Sequence, residues 1–254
     1  MRPPLTAVAA FVALIVGGAA RPAAAQMQDL SGFTRNGTAT LDAGQIVLTP
    51  ASTYEIGSAF RVAPVATSGL QFLTATFNYT IGGGTGADGL AFVLQGNGPN
   101  ALGTLGNGVG ANIGFAGISN SLAALVRTHT YNLVQIGTDG HLNGHSAAAT
   151  MLRGTNDVTV TYAAAGELFS VFLNGAPVVS QSGIDLAALV GPEAYLGFTA
   201  STGASSDMQR INSFSLTTSY APAASTVPEP ASVALVGGGL LGVVGIARRR
   251  RTTS

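Results

Sequence analysis

The sequence GGGTGADGLAFVLQ spans Gly82 to Gln95 and passes from a glycine-rich loop into a strand pattern. Glycine reaches backbone angles that other residues avoid, so the first half predicts a tight loop. The second half places apolar side chains at Leu90, Phe92 and Leu94, which is the period of a β-strand. Asp88 lies between the two halves. It is either a ligand contact at the mouth of the strand or a residue that caps a turn.

Composition excludes several classes of protein. Of the 254 residues only 9% are charged, and the formal net charge is zero, so electrostatics gives no support for a nucleic-acid or acidic partner. The chain has no cysteine, which excludes disulfides, thiol nucleophiles and thiolate metal sites. Its 35 glycines favour many short strands joined by tight turns.

The hydrophobic pattern predicts an all-β domain. QFLTATFNYTI, from Gln71 to Ile81, alternates between apolar and mostly polar positions from Phe72 onward, as a half-buried strand does. The clearest hairpin ends at Asn174-Gly175, a common two-residue turn. Its two strands and two further predicted strands are Asp157 to Tyr162, Leu168 to Leu173, Asn112 to Phe115, and Ser121 to Asn132.

Two separate stretches resemble the legume-type (L-type) lectins. GADGLAFVL resembles the ADG-containing strand of that family. AYLGFTASTGASSDMQRINSFSL, from Ala194 to Leu216, resembles the family's GFSASTG stretch and its closing strand. The resemblance covers residues 29–218 and implies a concanavalin-like jelly-roll sandwich of two large antiparallel sheets. It also implies carbohydrate binding without catalysis.

The resemblance implies a set of sugar-binding residues. Asp88, preceded by a cis peptide bond, would accept hydrogen bonds from two sugar hydroxyls. Gly106 or Gly108, in the glycine loop from Gly96 to Gly110, would donate a backbone N–H; this loop lacks the GK[ST] ending of a phosphate-binding loop. Asn132 would donate from its amide and Tyr131 would stack on a sugar face, or both would serve turn and core packing. The rim would be framed by Thr202, Gly203, Ala204 and Ser205.

The metal site of the family has no counterpart in this sequence. Its acids would fall between Leu90 and Thr138, where the chain has no Asp or Glu. Ca²⁺ prefers six to eight oxygen ligands with carboxylates among them, so we expect no calcium and no other cofactor. Arg127 could instead support the sugar-binding loop by charge and hydrogen bonds. A transition-metal site from Asn132, Asp139 and His145 is a weak alternative to solvated loop histidines.

The N-terminus has the pattern of a secretory signal. Residues 1–25 contain an early arginine, an apolar run and the small-residue ending Ala23-Ala24-Ala25, which predicts cleavage close to Gln26. The alternative is a membrane anchor, for which the apolar run is short.

The C-terminus has a second targeting pattern. After a Pro/Ala/Ser linker at residues 219–226, VPEPASVALVGGGLLGVVGIARRRR spans Val227 to Arg251. It resembles the PEP-CTERM sorting signal of exopolysaccharide-producing Gram-negative bacteria: Pro228-Glu229-Pro230, an apolar helix and a cluster of arginines. The resemblance implies transient anchoring in the inner membrane, cleavage by a membrane sorting protease, and release to the cell surface or beyond. A permanent tail anchor is the alternative.

These interpretations together predict an exported carbohydrate-binding protein that acts at the cell surface or in extracellular polysaccharide. One alternative is a structural matrix protein that has lost sugar binding together with the metal acids. A glycoside hydrolase on the same fold is less favoured, because no pair of acids flanks an obvious groove. Neither the sugar nor the oligomeric state follows from the sequence.

Overall fold

The computed structural model describes residues 25–105 and 111–222. These residues form sixteen strands, one short α-helix and one 3-10 turn at Leu30–Gly32. In chain order the strands and helix are β1 (Gln26–Met27), β2 (Phe33–Gly37), β3 (Thr40–Asp42), β4 (Gln45–Thr49), β5 (Ile56–Arg61), β6 (Val65–Ala66), β7 (Leu70–Gly82), β8 (Gly89–Gln95), β9 (Ser121–Arg127), β10 (Leu133–Thr138), β11 (Ser146–Ala148), β12 (Gly154–Ala163), β13 (Leu168–Leu173), β14 (Ala176–Gln181), α1 (Leu186–Val190), β15 (Glu193–Ser201) and β16 (Met208–Tyr220).

The strands form two eight-stranded antiparallel sheets. The first sheet has the order β14-β13-β12-β7-β16-β4-β3, with β1 added along β16. The second has the order β11-β10-β9-β8-β15-β5-β2, with β6 added along β15. The central strands pair with strands distant in sequence, β7 with β16 and β8 with β15, as in a jelly roll. The all-β sandwich of two large antiparallel sheets is therefore confirmed.

The first sheet is buried on one face only. Along β7 the apolar residues of the predicted alternation, Leu73, Phe77 and Tyr79 among them, are almost completely buried, and the residues between them are partly or fully exposed. The predicted hairpin is also present, with β12 and β13 paired from Val158↔Leu173 to Ala163↔Leu168. Asn174-Gly175 then turns the chain into β14, a strand that the sequence analysis missed.

The core lies between the sheets and is rich in phenylalanine. Phe77, Phe92, Phe198 and Phe214 come from four central strands, and their ring centroids lie 5.1–5.9 Å apart in the contacting pairs. Tilted and edge-on ring pairs of this kind add to the hydrophobic stabilisation from buried area. These four strands, β7, β8, β15 and β16, lie in the interior of the two sheets. Their packing therefore holds in place the strand ends from which the loops extend.

The central strands of the second sheet, β8, β9 and β15, are buried on both faces. The outer face of this sheet is covered by residues 111–117, a run of turns that packs Ile113 and Phe115 onto β8 and β9. The prediction of a strand at Asn112 to Phe115 is therefore wrong. Ile113 has φ of 54° and Gly114 has φ of 63°, which an extended strand cannot contain. The hydroxyl of Thr199 anchors this cover by donating to the Ile113 carbonyl at 2.8 Å.

Two predicted boundaries also differ from the structure. The strand predicted from Ser121 to Asn132 ends at Arg127, because Thr130 and Asn132 adopt positive φ in a tight turn. β16 extends to Tyr220, two residues into the segment predicted as a linker from Ser219. The signal segment before Ala25 and the sorting segment with its predicted apolar helix lie outside the described residues. Within the described ranges, no helix is long and apolar enough to cross a membrane.

Candidate functional site

The ADG sequence forms a tight junction between the glycine loop and β8. The Ala87–Asp88 peptide bond is cis, as the resemblance implied. Gly89 follows with φ of 128°, and a Cβ at this position would collide with the carbonyl oxygen of Val126. Only glycine fits this close approach between β8 and β9. The junction therefore fixes Asp88 at the end of the second sheet, beside the last residues of β9 and β15.

Asp88 is a buried acid with unused hydrogen-bonding capacity. Only 4% of the residue is exposed, and its Oδ2 is buried without a hydrogen-bond partner among residues 25–105 and 111–222. Burial raises the pKa of Asp88 to about 6, while His129, the Gly203 backbone amide and Arg127 act in the opposite direction. A carboxylate with a free oxygen is an acceptor for hydroxyl groups of a ligand.

A small cavity of about 50 Å³ opens beside this carboxylate. The guanidinium of Arg127 lies 5.8 Å from the centre of the Tyr131 ring, and its Nη1 donates to Gln135 at 3.0 Å. The Tyr131 side chain is 64% exposed, so its ring is accessible to a ligand. The volume suits a few hydroxyl groups rather than a complete sugar ring. Its lining residues are Asp88, Ala111, Arg127, His129, Thr130 and Tyr131.

Asn132 and the predicted rim contribute in different ways. Asn132 is exposed at the start of β10 and is not part of the cavity lining. Thr202 is fully buried, and its hydroxyl donates to the Ser52 carbonyl and accepts the Glu55 N–H. It supports the loop, so its side chain does not form the rim. Gly203 is buried beside Asp88, whereas Ala204 is exposed and Ser205 partly exposed. Gly106 and Gly108 lie outside the described residues.

The predicted metal site of Asn132, Asp139 and His145 is wrong, because the three side chains lie too far apart. Asn132 precedes β10 and Asp139 follows it, so the extended strand separates them by about 20 Å. Asp139 accepts the Asn120 N–H at 2.8 Å, and Nδ1 of His145 lies 2.9 Å from the Ser180 carbonyl oxygen. These three residues cannot surround one ion. In the described part of the chain, no group of three or more His, Asp or Glu side chains lies close enough to bind a metal.

An ion pair that the sequence analysis missed lies behind the glycine loop. Arg153 donates from Nε to Asp207 at 2.7 Å and from Nη2 at 2.8 Å. The Asp207 side chain is completely buried and also accepts the Gly84 N–H at 2.9 Å. The two residues are 54 positions apart, so no local pattern in the sequence predicts their pairing.

Residues beside this ion pair position the loop. The Thr85 N–H donates to the Ser206 carbonyl at 2.6 Å, and the Thr85 hydroxyl accepts the Ser206 N–H at 2.9 Å. Gln209 donates from its side chain to the Ala87 carbonyl at 2.8 Å, directly at the cis peptide. The beginning of β16 therefore fixes the backbone that presents Asp88.

Solved structures with this architecture include several lectins. The lectin UEA-II complexed with galactose is 18% identical, with a TM-score of 0.66, over 78% of this chain and 99% of that one. The fold is that of the legume lectins. A Bauhinia forficata lectin in complex with GalNAc matches this lectin fold at 17% identity and a TM-score of 0.64, covering 79% of this chain and 99% of its own.

A third match is a lectin-like protein with a role in defence. Arcelin-5, a lectin-like defence protein from Phaseolus vulgaris, is 19% identical with a TM-score of 0.61, over 75% of this chain and 93% of its own. At these identities the likeness establishes the lectin fold.

The C-terminal resemblance is supported by a separate comparison. Residues 226–251 match the PEP-CTERM protein-sorting motif, close to the predicted bounds of 227–251. This motif marks proteins that Gram-negative bacteria export and anchor transiently in the membrane. Together the two findings describe an exported protein with a lectin-like domain.

Proposed function

We propose that this protein binds carbohydrate through the Asp88 cavity, at the cell surface or in extracellular polysaccharide. The observation that supports this best is the buried Oδ2 of Asp88, which lacks a partner among the described residues and borders a cavity. Leaving a buried charged acceptor unpaired is costly, and two sugar hydroxyls would satisfy it.

The other residues of the site suit a sugar. Tyr131 offers an exposed aromatic face on which a sugar ring can stack. Arg127 lies beside that ring and near Asp88, in the strand where the resemblance expects metal ligands. Its fixed positive charge stabilises the ionised carboxylate without a metal. Ala204 and Ser205 lie on the surface of the neighbouring loop and would contact the rest of the glycan.

We infer binding rather than hydrolysis. Glycosidases generally use two carboxyl groups, about 5–10 Å apart, on either side of the scissile bond. The lining of the cavity contains one carboxyl group, that of Asp88. The natural ligand in this proposal is an exopolysaccharide, and the processing partner is a membrane sorting protease that acts at Pro228-Glu229-Pro230.

A glycan array on the purified protein tests the proposal. We expect selective binding to a limited set of glycans, and Asp88→Asn should weaken it by roughly tenfold to more than a hundredfold, because a hydrogen bond to a charged group contributes about 1.5–3 kcal/mol. Glu193→Gln is the matched control, since this exposed acid lies at the far end of β15, about 26 Å from Ser201.

The small volume of the cavity favours one rival, a structural matrix protein that keeps the fold without binding sugar. An array without any bound glycan would support that rival. Binding that survives Asp88→Asn unchanged would place the sugar elsewhere on the protein.

A further inference from the structure

A second cavity, of about 370 Å³, lies at the other end of the sandwich. It is bordered by β1, by residues 61–66 and by the end of β16. At one end of β16, Met208 pairs with Gly82, close to the Asp88 loop. At the other end, Tyr220 pairs with Leu70. Thirteen extended residues separate these ends by about 40 Å. The volume falls in the range of small-molecule sites, roughly 300–1,000 Å³.

Arg61 is an unpaired cation in the wall of this cavity. Its Nη1 is buried and makes no hydrogen bond to any of residues 25–105 and 111–222. The two ion pairs found in those ranges, Arg153–Asp207 and Arg210–Asp42, do not include it. Burial lowers the pKa of Arg61, although a guanidinium stays charged at neutral pH. Arg61 as a whole is partly exposed, but a buried donor without a partner is costly, so the site favours an anion that pairs with Nη1.

The neighbouring acid does not meet this need. Arg61 also borders a smaller cavity of about 230 Å³ that contains Asp29. Asp29 accepts the Ser31 N–H at 2.9 Å and the Ser31 hydroxyl at 2.7 Å, which lowers its pKa. Its carboxylate caps the 3-10 turn and forms no ion pair with Arg61. Among the described residues, those that line the larger cavity include no acid.

The remaining lining of the large cavity resembles that of a sugar site. Tyr220 is 38% exposed and donates from its hydroxyl to the Ala66 carbonyl at 3.3 Å, which orients the ring at the cavity wall. Gln26, Gln28 and Thr217 add amide and hydroxyl groups that can pair with sugar hydroxyls. An aromatic ring, amides and one cation together suit a ligand with hydroxyls and one negative charge.

We propose that the Arg61 cavity binds the uronic acid residues of an acidic polysaccharide. Guanidinium and carboxylate groups match in planar geometry and form short, charge-assisted hydrogen bonds. A neutral sugar would leave Nη1 unpaired, and a small carboxylate would leave the amides unused. This site is separate from the Asp88 cavity and does not depend on the function proposed there.

Isothermal titration of the purified protein with glucuronate, glucose and acetate tests the proposal. We expect glucuronate to bind at least tenfold more tightly than either of the others. Arg61→Gln should remove this preference. Arg35→Gln is the matched control, because this arginine on β2 hydrogen-bonds to the backbone carbonyls of Ser31 and Phe33 and does not line the large cavity as described. Asp88→Asn should leave the preference intact, which distinguishes this site from the first.

The melting temperature of each variant without ligand shows whether it is folded. Arg61→Gln removes a partly exposed charge whose buried Nη1 has no partner among the described residues, so its melting temperature should equal or exceed that of the wild type. Equal affinities for glucuronate and glucose would overturn the proposal, as would a preference that survives Arg61→Gln. Acetate binding as tight as that of glucuronate would also overturn it, because the sugar hydroxyls would then contribute nothing.

Discussion

Asp88 and Asp207 are two buried acids on either side of one glycine loop, and they differ in their partners. Asp207 receives two hydrogen bonds from Arg153 and one from the Gly84 backbone. Asp88 keeps one buried oxygen without a partner in the described residues. A satisfied buried charge stabilises the loop it belongs to, whereas an unsatisfied one costs stability and stays available to a ligand. The same loop therefore combines a structural acid with the acid that we propose binds sugar.

The largest effect should come from removing the satisfied acid. Asp207→Ala should lower the free energy of unfolding by about 3 kcal/mol, because it breaks a bidentate pair whose acid is completely buried. Urea unfolding measures this change. Asp42→Ala is the matched control: Asp42 is exposed, so its pair with the partly buried Arg210 should contribute less than about 1 kcal/mol. Equal losses of unfolding free energy in the two variants would show that the buried Asp207 pair stabilises the fold no more than the Asp42 pair does.

The second effect concerns the cost of the unsatisfied acid. The pKa of Asp88 is raised to about 6 from its ordinary value of 3.8, so between these values the folded state binds more protons than the unfolded state. The stability from this group is complete below about pH 4 and is lost as pH rises through about 6. The loss amounts to roughly 3 kcal/mol at most.

Unfolding of the wild type and of Asp88→Asn across about pH 4 to 8 isolates this contribution. The free energy of unfolding of the wild type minus that of the variant should fall as pH rises, since the amide of the variant does not titrate. Sugar binding should change in the opposite direction and strengthen through about pH 6, because the ionised carboxylate is the better acceptor. A flat difference curve would contradict the raised pKa of Asp88.

A smaller effect should come from the neighbouring histidine. His129 lowers the pKa of Asp88, so His129→Gln should move the midpoint of the difference curve upward by less than about one pH unit. His141→Gln is the control, because this exposed histidine lies at the opposite end of β10. A downward shift in His129→Gln would contradict the assigned electrostatics.

No effect is expected from metal removal. Treatment with a chelator should leave both the melting temperature and glycan binding unchanged, since the described residues contain no metal-binding cluster. Arg127 supplies the positive charge beside Asp88. If chelation abolishes binding, a calcium site outside the described residues contributes to the sugar site.

The sequence predicted the features that depend on local pattern. The alternation from Gln71 to Ile81 indicated β7, because burial of one sheet face requires an apolar residue at every second position of the sequence. The strand predicted from the apolar residues at Asn112 to Phe115 is absent. Ile113 and Phe115 are apolar because they cover the second sheet from a turn, and apolar spacing reports burial rather than backbone conformation.

The site was predictable only in part. The ADG sequence indicated Asp88, and the resemblance indicated its cis peptide bond. The partners of this loop, Arg153 and Asp207, come from distant parts of the chain, and only the folded chain brings them together. Arg61 was not indicated either, because an unpaired charge is a property of the surrounding structure and has no signature in sequence.

The course of β16 also has a mechanical consequence. The strand begins where Gln209 bonds the Ala87 carbonyl and ends where the Ala221 N–H bonds the Gly69 carbonyl. Its hydrogen bonds to β7 run perpendicular to the strand. A pulling force between the Asp88 cavity and Ala221 would act along the strand and load these bonds in shear. Many bonds would then have to break together, so the domain would resist tension along this axis far better than peeling across it.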